Sequence, residues 1–222
     1  MESMRCVQSE TLIPMEPFAD KLPLRVELAY AREDNTLFGE RIYRPQAGLF
    51  LYKDLAEIVC GAAARLGQAG YRLILYDGLR TMEAQARMLE TARVRANPHW
   101  LEEPRLLSPP GAGAHPRGMA VDCAIETEEG VLLDMGTVFD FLAESSEQAH
   151  NPAHRDYPHL SEEVRRNRAI LDMAMRESAV SLGSDLFPLP QEWWDFRLPP
   201  SFYERFAPLS DSDLPEEMRM AG

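Results

Sequence analysis

The order of helical and strand-like segments along the chain limits its fold more than any single motif does. Apolar residues recur at helical spacing from about 51 to 68, and the apolar run YRLILY follows at 71–76. A second helix is predicted from Thr81 to about 95, and strands are predicted at 119–125 (MAVDCAI) and 192–196 (EWWDF). Because these segments do not alternate as in βαβ folds, we predict an α+β domain with a small, mostly antiparallel sheet flanked by helices.

Length and charge limit the organisation and the partners of the chain. Its 222 residues fit one domain, which we place at 1–207, and the acidic, turn-rich residues 208–222 are expected to form a mobile tail. The net charge of −13 argues against nucleic acid and anionic membranes as partners, since both attract positive surfaces. Assembly into a homo-oligomer stays open.

Targeting signals and cysteine usage indicate a cytoplasmic protein. The N-terminus has no basic run followed by an apolar stretch, so no signal peptide is predicted, and no apolar segment is long enough to span a bilayer. The three scattered cysteines contain no CxxC pair, and they predict neither a disulfide framework nor a cysteine zinc site.

Three further segments complete the prediction of local structure. Residues 96–118 form a long irregular stretch rich in proline and glycine, and loops of this length are often functional. VLLDMG at 131–136 is a candidate returning strand of a hairpin. Ser161 is predicted to cap a helix, with Glu162 and Glu163 in its first turn.

The motif HPRGMAVD places His115 on a glycine-containing loop and Asp122 in a predicted strand. Imidazole and carboxylate are both zinc donors, and a strand fixes the position of the carboxylate. Taken alone, such a pair is more often a structural hydrogen bond than a metal site.

The motif EWWD offers Glu192 as a group that could take a proton from water beside a metal. In a regular strand, residues three apart point to opposite faces. Glu192 and Asp195 can therefore reach one metal only if the strand is bulged, strongly twisted or ends there. The alternative is an aromatic core strand with its charged residues pointing outward.

The motif DGLR places Arg80 directly after the YRLILY strand. An arginine at a strand end could bind a carboxylate or stabilise a developing oxyanion. The alternative for this motif in isolation is a surface arginine or an ion pair beside a helix.

In combination these motifs resemble a known family. The chain offers Tyr30-Ala31 followed by Asn35, then DGLR, HPRGMAVD, DMGTVFD and EWWD. This series resembles the D-alanyl-D-alanine dipeptidases, zinc metallopeptidases related to D-Ala-D-Ala carboxypeptidases and to the hedgehog signalling domain. The resemblance covers roughly residues 28–197 and implies the corresponding metallopeptidase-like fold.

The resemblance also implies a role for each residue that matches the family motifs. His115 and Asp122 match the first two zinc ligands, and Glu192 matches the catalytic base. Arg80 matches the arginine that steadies the scissile carbonyl as it becomes an oxyanion.

Two further matches concern the substrate. Asp140 matches an aspartate that helps to hold the free amino group of the substrate, and Tyr30 matches a tyrosine near the same end. The implied partner is therefore a small dipeptide.

One ligand position departs from the family pattern. The last motif normally ends in histidine, whereas this chain has Asp195, so the implied site combines His115 with two carboxylates. About one zinc per chain is expected, and the harder oxygen ligands make manganese or iron competitors. The family also tends to carry serines just before the first histidine, where this chain has Gly113 and Ala114, which leaves substrate preference open.

Three histidines offer an alternative third ligand. His150, His154 and His159 all lie in the polar stretch after Asp140, and they are otherwise expected to be solvated loop residues.

The sequence thus predicts a metal-dependent dipeptidase that hydrolyses D-Ala-D-Ala or a similar small dipeptide, with Glu192 as general base. The alternatives are a related amidase or carboxypeptidase with another small substrate, and a metal-free binding protein that kept the fold.

Overall fold

A computed structural model describes residues 4–35, 37–103 and 105–221, and a four-stranded sheet lies at its centre. The strands β2 (Leu24–Val26), β4 (Tyr71–Asp77), β5 (Ala120–Thr127) and β6 (Asp195–Arg197) lie side by side in that order. β2 is parallel to β4, and the other two pairs are antiparallel. The predicted α+β class with a small, mostly antiparallel sheet is confirmed.

The remaining elements surround this sheet. β1 (Leu12–Pro14) and β3 (Phe50–Tyr52) form a separate antiparallel pair. The two long helices are α1 (Lys53–Gln68) and α4 (Glu162–Ser181). Three short helices complete the fold: α2 (Met82–Leu89), α3 (Ala92–Arg95) and α5 (Pro200–Tyr203). Among the helices of the described residues, none is long and apolar enough to cross a membrane.

Helix α1 is amphipathic, and its buried face packs against both the sheet and α4. The buried residues recur at three- and four-residue spacing, as expected for a helix that covers a core: Leu55, Ala56, Ile58, Val59, Ala62, Ala63 and Leu66. The two helices approach so closely that a Cβ atom at Gly61 would lie 2.2 Å from the Ser178 hydroxyl oxygen. That hydroxyl instead donates to the Ile58 carbonyl at 2.7 Å, which fixes α4 across α1.

The single helix expected from Thr81 to about 95 is instead two helices. The chain breaks after Leu89, and the Thr91 side chain accepts a hydrogen bond from the Val94 amide at 3.4 Å, which starts α3. Threonine is more favourable at such an N-terminal cap than within a helix. The Thr81 side chain makes no capping hydrogen bond, although α2 does begin directly after it.

Two other local predictions have different outcomes. The Ser161 side chain accepts a hydrogen bond from the Val164 amide at 3.1 Å, which confirms it as the cap of α4. The segment 131–136 forms no regular returning strand, and its pairing with β5 is the isolated bridge between Glu126 and Leu132.

The C-terminal residues 208–221 pack against the domain, which differs from the expected mobile tail. The apolar side chains of Leu214, Met218 and Met220 are buried. The Met220 carbonyl accepts a hydrogen bond from the Arg44 amide at 2.8 Å. The Asp211 carboxylate accepts from the Met220 and Ala221 amides, so acidic residues in this segment hold its own backbone.

Candidate active site

Three of the predicted site residues converge on one point. The Nε2 atom of His115 lies 3.5 Å from the Asp122 Oδ1 atom and 3.4 Å from the Asp195 Oδ2 atom. Asp122 belongs to β5 and Asp195 begins β6, where the two residues lie directly opposite each other. His115 approaches from a short 3-10 turn, His115–Arg117, just before β5. All three residues are buried.

The register of the sheet adds a third carboxylate that sequence reasoning did not assign. Asp77 at the end of β4 lies opposite Asp122, so Asp77, Asp122 and Asp195 form a row across three adjacent strands. Residues directly opposite in antiparallel strands share a face, and like charges there repel. A buried row of this kind therefore needs cations around it.

Two groups of donor atoms beside His115 could hold a metal ion: those of Asp77, His115 and Asp122, and those of Asp122, Glu192 and Asp195. Tetrahedral zinc with bonds of about 2.0–2.1 Å separates its ligand atoms by about 3.3 Å. The observed separations of 3.5 and 3.4 Å from His115 Nε2 are close to that value. The Asp122 Oδ1 atom is buried and has no hydrogen-bond partner among the described residues, as expected of an atom that faces a metal.

The tautomer of His115 is also suited to a metal ligand. Its Nδ1 atom lies 2.8 Å from the Gly78 carbonyl oxygen, to which it can only donate. Such a bond to the backbone orients the ring and leaves Nε2 as the ligand atom.

Glu192 joins the site because the strand begins later than predicted. β6 starts at Asp195, and Glu192 lies in the preceding turn, where its amide donates to the Leu189 carbonyl at 3.3 Å. The period-two rule for strands therefore does not separate the two side chains. Oxygen atoms of Asp122, Glu192 and Asp195 all lie within 4.8 Å of one another. Glu192 and Asp195 can therefore reach the same point, because β6 begins only at Asp195.

The surroundings of Glu192 make its carboxyl group a weaker acid than usual. Burial, together with the Asp195 and Asp122 carboxylates, raises the pKa of Glu192 to about 8. A group with a pKa near neutrality can both accept and donate a proton at working pH, as a general base requires.

The environment of His115 favours a positive charge at the meeting point of the three residues. Burial is the largest single influence and opposes the charged imidazolium, but the Asp122 and Asp195 carboxylates together raise the pKa of His115 to about 10. Burial would likewise raise the pKa of Asp195, but Arg197 and His115 hold it below its usual range. Without another cation, a proton occupies Nε2 between the two carboxylates.

Arg80 is held rigidly at the edge of this group. Its Nε atom donates to the Asp77 Oδ2 atom at 3.0 Å, and its Nη1 atom donates to the Gln85 side chain at 3.0 Å. The Tyr43 hydroxyl donates to the other Asp77 oxygen at 2.6 Å. Nη2 lies 3.6 Å from the Asp122 Oδ2 atom. Asp77 therefore fixes the guanidinium that the DGLR motif brings to the site.

Tyr30 and Asp140 form a neighbouring polar pair. The Tyr30 hydroxyl donates to the Asp140 Oδ2 atom, and the Arg80 guanidinium lies 5.2 Å above the Tyr30 ring. Asp140 has a φ of 60°, a left-handed conformation that aspartate tolerates better than most residues. Burial and the Asp122 carboxylate raise the pKa of Asp140 to about 7, against the effect of the Tyr30 hydrogen bond.

These side chains line one small pocket of about 150 Å³, which contains the predicted residues Tyr30, Arg80, His115, Asp122, Asp140 and Glu192. A larger cavity of about 680 Å³ lies on the other side of Asp140. Its lining includes Asp140 but none of His115, Asp122, Glu192 and Asp195. His115, Asp122 and Glu192 therefore face the small pocket, while the fully buried Asp195 belongs to the lining of neither cavity.

The three alternative histidines have other partners. The His154 Nδ1 atom accepts from the Asp156 amide at 3.0 Å, and the exposed His150 lies 3.2 Å from Glu147. His159 packs edge-on against Tyr157. Within the described ranges, none of the three belongs to a cluster of potential ligand atoms, whereas Asp195 does.

Arg197 is the second functional candidate that sequence reasoning missed. It lies two residues after Asp195 on β6, and its guanidinium grips both Asp195 oxygens, with Nε 2.7 Å from Oδ1. The alternation in Asp195-Phe196-Arg197 could have indicated this ion pair, because in a strand it puts the two charged residues on one face and Phe196 on the other.

Two comparisons of the sequence with known proteins agree with each other. A family model described as D-ala-D-ala dipeptidase, of the M15 peptidases, matches residues 16–210. The D-alanyl-D-alanine dipeptidase of Escherichia coli (strain K12) is 30% identical over 177 residues, which is 79% of this chain and 79% of that protein. The crystal structure of the Serratia marcescens L-Ala D-Glu endopeptidase ChiX has 20% sequence identity and a TM-score of 0.40, over 69% of this chain and 84% of that one.

Proposed function

Because this chain belongs to the D-Ala-D-Ala dipeptidase family of M15 peptidases, we propose that it is a metal-dependent dipeptidase acting on D-Ala-D-Ala or a similarly small dipeptide. One observation carries this proposal. The His115 Nε2 atom lies 3.5 Å from Asp122 and 3.4 Å from Asp195, and His115, Asp122 and Glu192 line a pocket that also contains Asp140.

His115, Asp122 and Asp195 would hold the metal. When bound, it supplies a Lewis acid that polarises the peptide carbonyl and makes a water more acidic. The donor set of one nitrogen and two oxygens accepts zinc and also suits manganese or iron.

Glu192 and Arg80 carry the proton transfer and the charge stabilisation. Glu192 accepts a proton from the attacking water and later donates it to the leaving amine. Arg80 donates hydrogen bonds to the carbonyl oxygen as it gains negative charge, and it is already oriented by Asp77 and Gln85. No reorganisation of the guanidinium is then needed during the reaction.

Asp140 provides the basis for a preference for dipeptides. A carboxylate held by Tyr30 on the wall of a pocket of about 150 Å³ can bind the ammonium group of the substrate. A fixed distance between that carboxylate and the metal favours a substrate with one residue on the amino side of the scissile bond.

This preference can be tested by comparing D-Ala-D-Ala with N-acetyl-D-Ala-D-Ala on the metal-loaded protein. We expect kcat/KM to be about 100-fold or more higher for the free dipeptide, because acetylation leaves the Asp140 carboxylate unpaired. In Asp140→Asn the ratio should fall towards one. Asp134→Asn, in the same DMGTVFD segment, is the matched control and should keep the wild-type ratio.

Screening dipeptides of both chiralities and acylated amino acids completes the assay. A preference for acylated substrates would replace the dipeptidase proposal with an amidase or carboxypeptidase activity. No turnover of any substrate by metal-loaded protein would favour a binding protein.

Metal loading should release protons. At pH 7, His115 with a pKa of about 10 and Glu192 with a pKa of about 8 both hold a proton in the metal-free protein. A divalent cation requires neutral His115 and favours ionised Glu192, so we expect about two protons released per zinc at this pH. The apparent zinc affinity should accordingly rise as pH increases towards these pKa values.

Calorimetric zinc titration in two buffers of different ionisation enthalpy measures this release. Glu192→Gln lacks one of the two protons and should release about one. Release of no proton by either protein would contradict His115 as a ligand.

We also propose a reducing compartment, such as the cytoplasm, for this enzyme. The support is that Cys6, Cys60 and Cys123 are all free thiols in the structure, as is usual for proteins of that compartment.

A further inference from the structure

We propose that Arg197 is the counter-ion that allows Asp195 to take the third ligand position, where related dipeptidases carry a neutral imidazole. This inference rests on the proposed metal site. It assigns Arg197 a positioning role, since the residue would act through Asp195 and not through the substrate.

The contacts of Arg197 are those of a dedicated partner. Nε and Nη2 donate to the two oxygens of Asp195, in a two-pronged pair that fixes the plane of the carboxylate. The Leu189 amide also donates to Oδ1 at 3.2 Å. Oδ1 thus accepts two hydrogen bonds, and Oδ2, which faces His115, accepts one from Arg197 Nη2, so the carboxylate is held in one orientation.

Charge gives the reason for such a partner. Asp77 already has Arg80 and the Tyr43 hydroxyl, and Asp122 has His115. Without Arg197, Asp195 would have only the His115 imidazole as a charged partner, which it shares with Asp122, and buried charges with too few partners are costly. Two carboxylates with one guanidinium carry the same net charge as one carboxylate with two neutral imidazoles.

A second departure from the family pattern, Gly113, lies next to the Arg197 side chain. A side-chain carbon at Gly113 would lie 3.6 Å from the Arg197 Nη1 atom, and Gly113 has a φ of +75°. Gly113 stands in the segment where related enzymes tend to carry serine. A side chain at position 113 would therefore touch the guanidinium, so the two departures are neighbours in the structure.

If Arg197 is the counter-ion of Asp195, replacing Asp195 by the histidine of the family motif should weaken zinc binding. In Asp195→His, the guanidinium of Arg197 loses both acceptor oxygens and lies unpaired beside the metal position. We therefore expect this variant to bind zinc more weakly than wild type by about tenfold to 100-fold, although it restores the family motif. Adding Arg197→Met removes the unpaired cation, and the double variant should recover to within about threefold of wild type or bind more tightly.

Zinc affinity of the metal-free protein, measured by competition with a chromophoric chelator, tests this for four proteins. They are wild type, Asp195→His, the double variant Asp195→His/Arg197→Met, and Arg197→Lys. Arg197→Lys keeps the charge and should stay within about fivefold of wild type. It also serves as the folding control, because it leaves no buried carboxylate unpaired.

Recovery in the double variant is the decisive result, since a purely structural Arg197 would make two substitutions worse than one. The inference is overturned if Asp195→His alone binds zinc as tightly as wild type, or if the double variant binds no better than Asp195→His. It is also overturned if wild type binds no zinc. If wild type binds zinc but hydrolyses no dipeptide, the proposed function fails while this inference stands.

Discussion

Glu192→Gln is expected to lower kcat for dipeptide hydrolysis by about 10³-fold, within the range of 10²–10⁴-fold usual for general acid–base catalysis, while the protein keeps its metal. Glutamine has nearly the same shape but cannot accept the proton of the attacking water. The site offers Glu192 for this role because it lies beside the ligand carboxylates and outside strand β6. Steady-state kinetics with elemental analysis of the same preparation measures both quantities.

Glu192→Asp is the matched control for this loss. It keeps the carboxylate but withdraws it by one methylene, so we expect kcat between those of wild type and Glu192→Gln. If Glu192→Gln retained more than about a tenth of wild-type kcat, the proton would have to go to another group. If the glutamine variant lost its metal, Glu192 would be a ligand and not the base.

Arg80→Lys is expected to lower kcat by about 10²–10³-fold, as the loss of an oxyanion donor does in other hydrolases. The arginine fork binds Asp77 and Gln85 while Nη2 faces the carboxylates of the site. A lysine ammonium cannot hold these positions together, because it is a single point of charge on a flexible stem. KM should change much less, since the interaction strengthens mainly in the transition state.

Arg72→Lys provides the comparison for this substitution. Arg72 lies on β4 and pairs with Glu126, at the end of the strand that is remote from Arg80. We expect wild-type kinetics from it. Equal losses in both variants would mean that an arginine on or next to β4 supports the fold and that Arg80 has no special role in the chemistry.

The sequence was informative where function depends on local motifs and order along the chain. It predicted the fold class, which the sheet confirms, and its motifs supplied the residues that the structure brings into one pocket. His115 and Asp122 lie seven residues apart in one motif, and Arg80 directly follows a strand. Such features can be read without knowing how the strands pair.

The contributions of Asp77 and Arg197 depend on pairing across strands, and this could not be read locally. Asp77 matters because it lies opposite Asp122, and this pairing depends on a shift in the register of β4 and β5 between Leu75 and Asp77. Arg197 matters because β6 starts at Asp195 and not at Glu192. The break before α3 was missed for a different reason, since Thr91 satisfies helical periodicity and also makes a good cap.

The ion pair between Asp195 and Arg197 also restricts how this protein could evolve. A single base change converts an aspartate codon into a histidine codon, so the genetic code leaves the path back to the family ligand open. Arg197 makes this single change unfavourable, because Asp195→His leaves a buried guanidinium without its carboxylate partner beside the metal position. The effect of a substitution at position 195 therefore depends on the residue at position 197. A lineage that acquired Asp195 and Arg197 would keep both residues until both codons changed together.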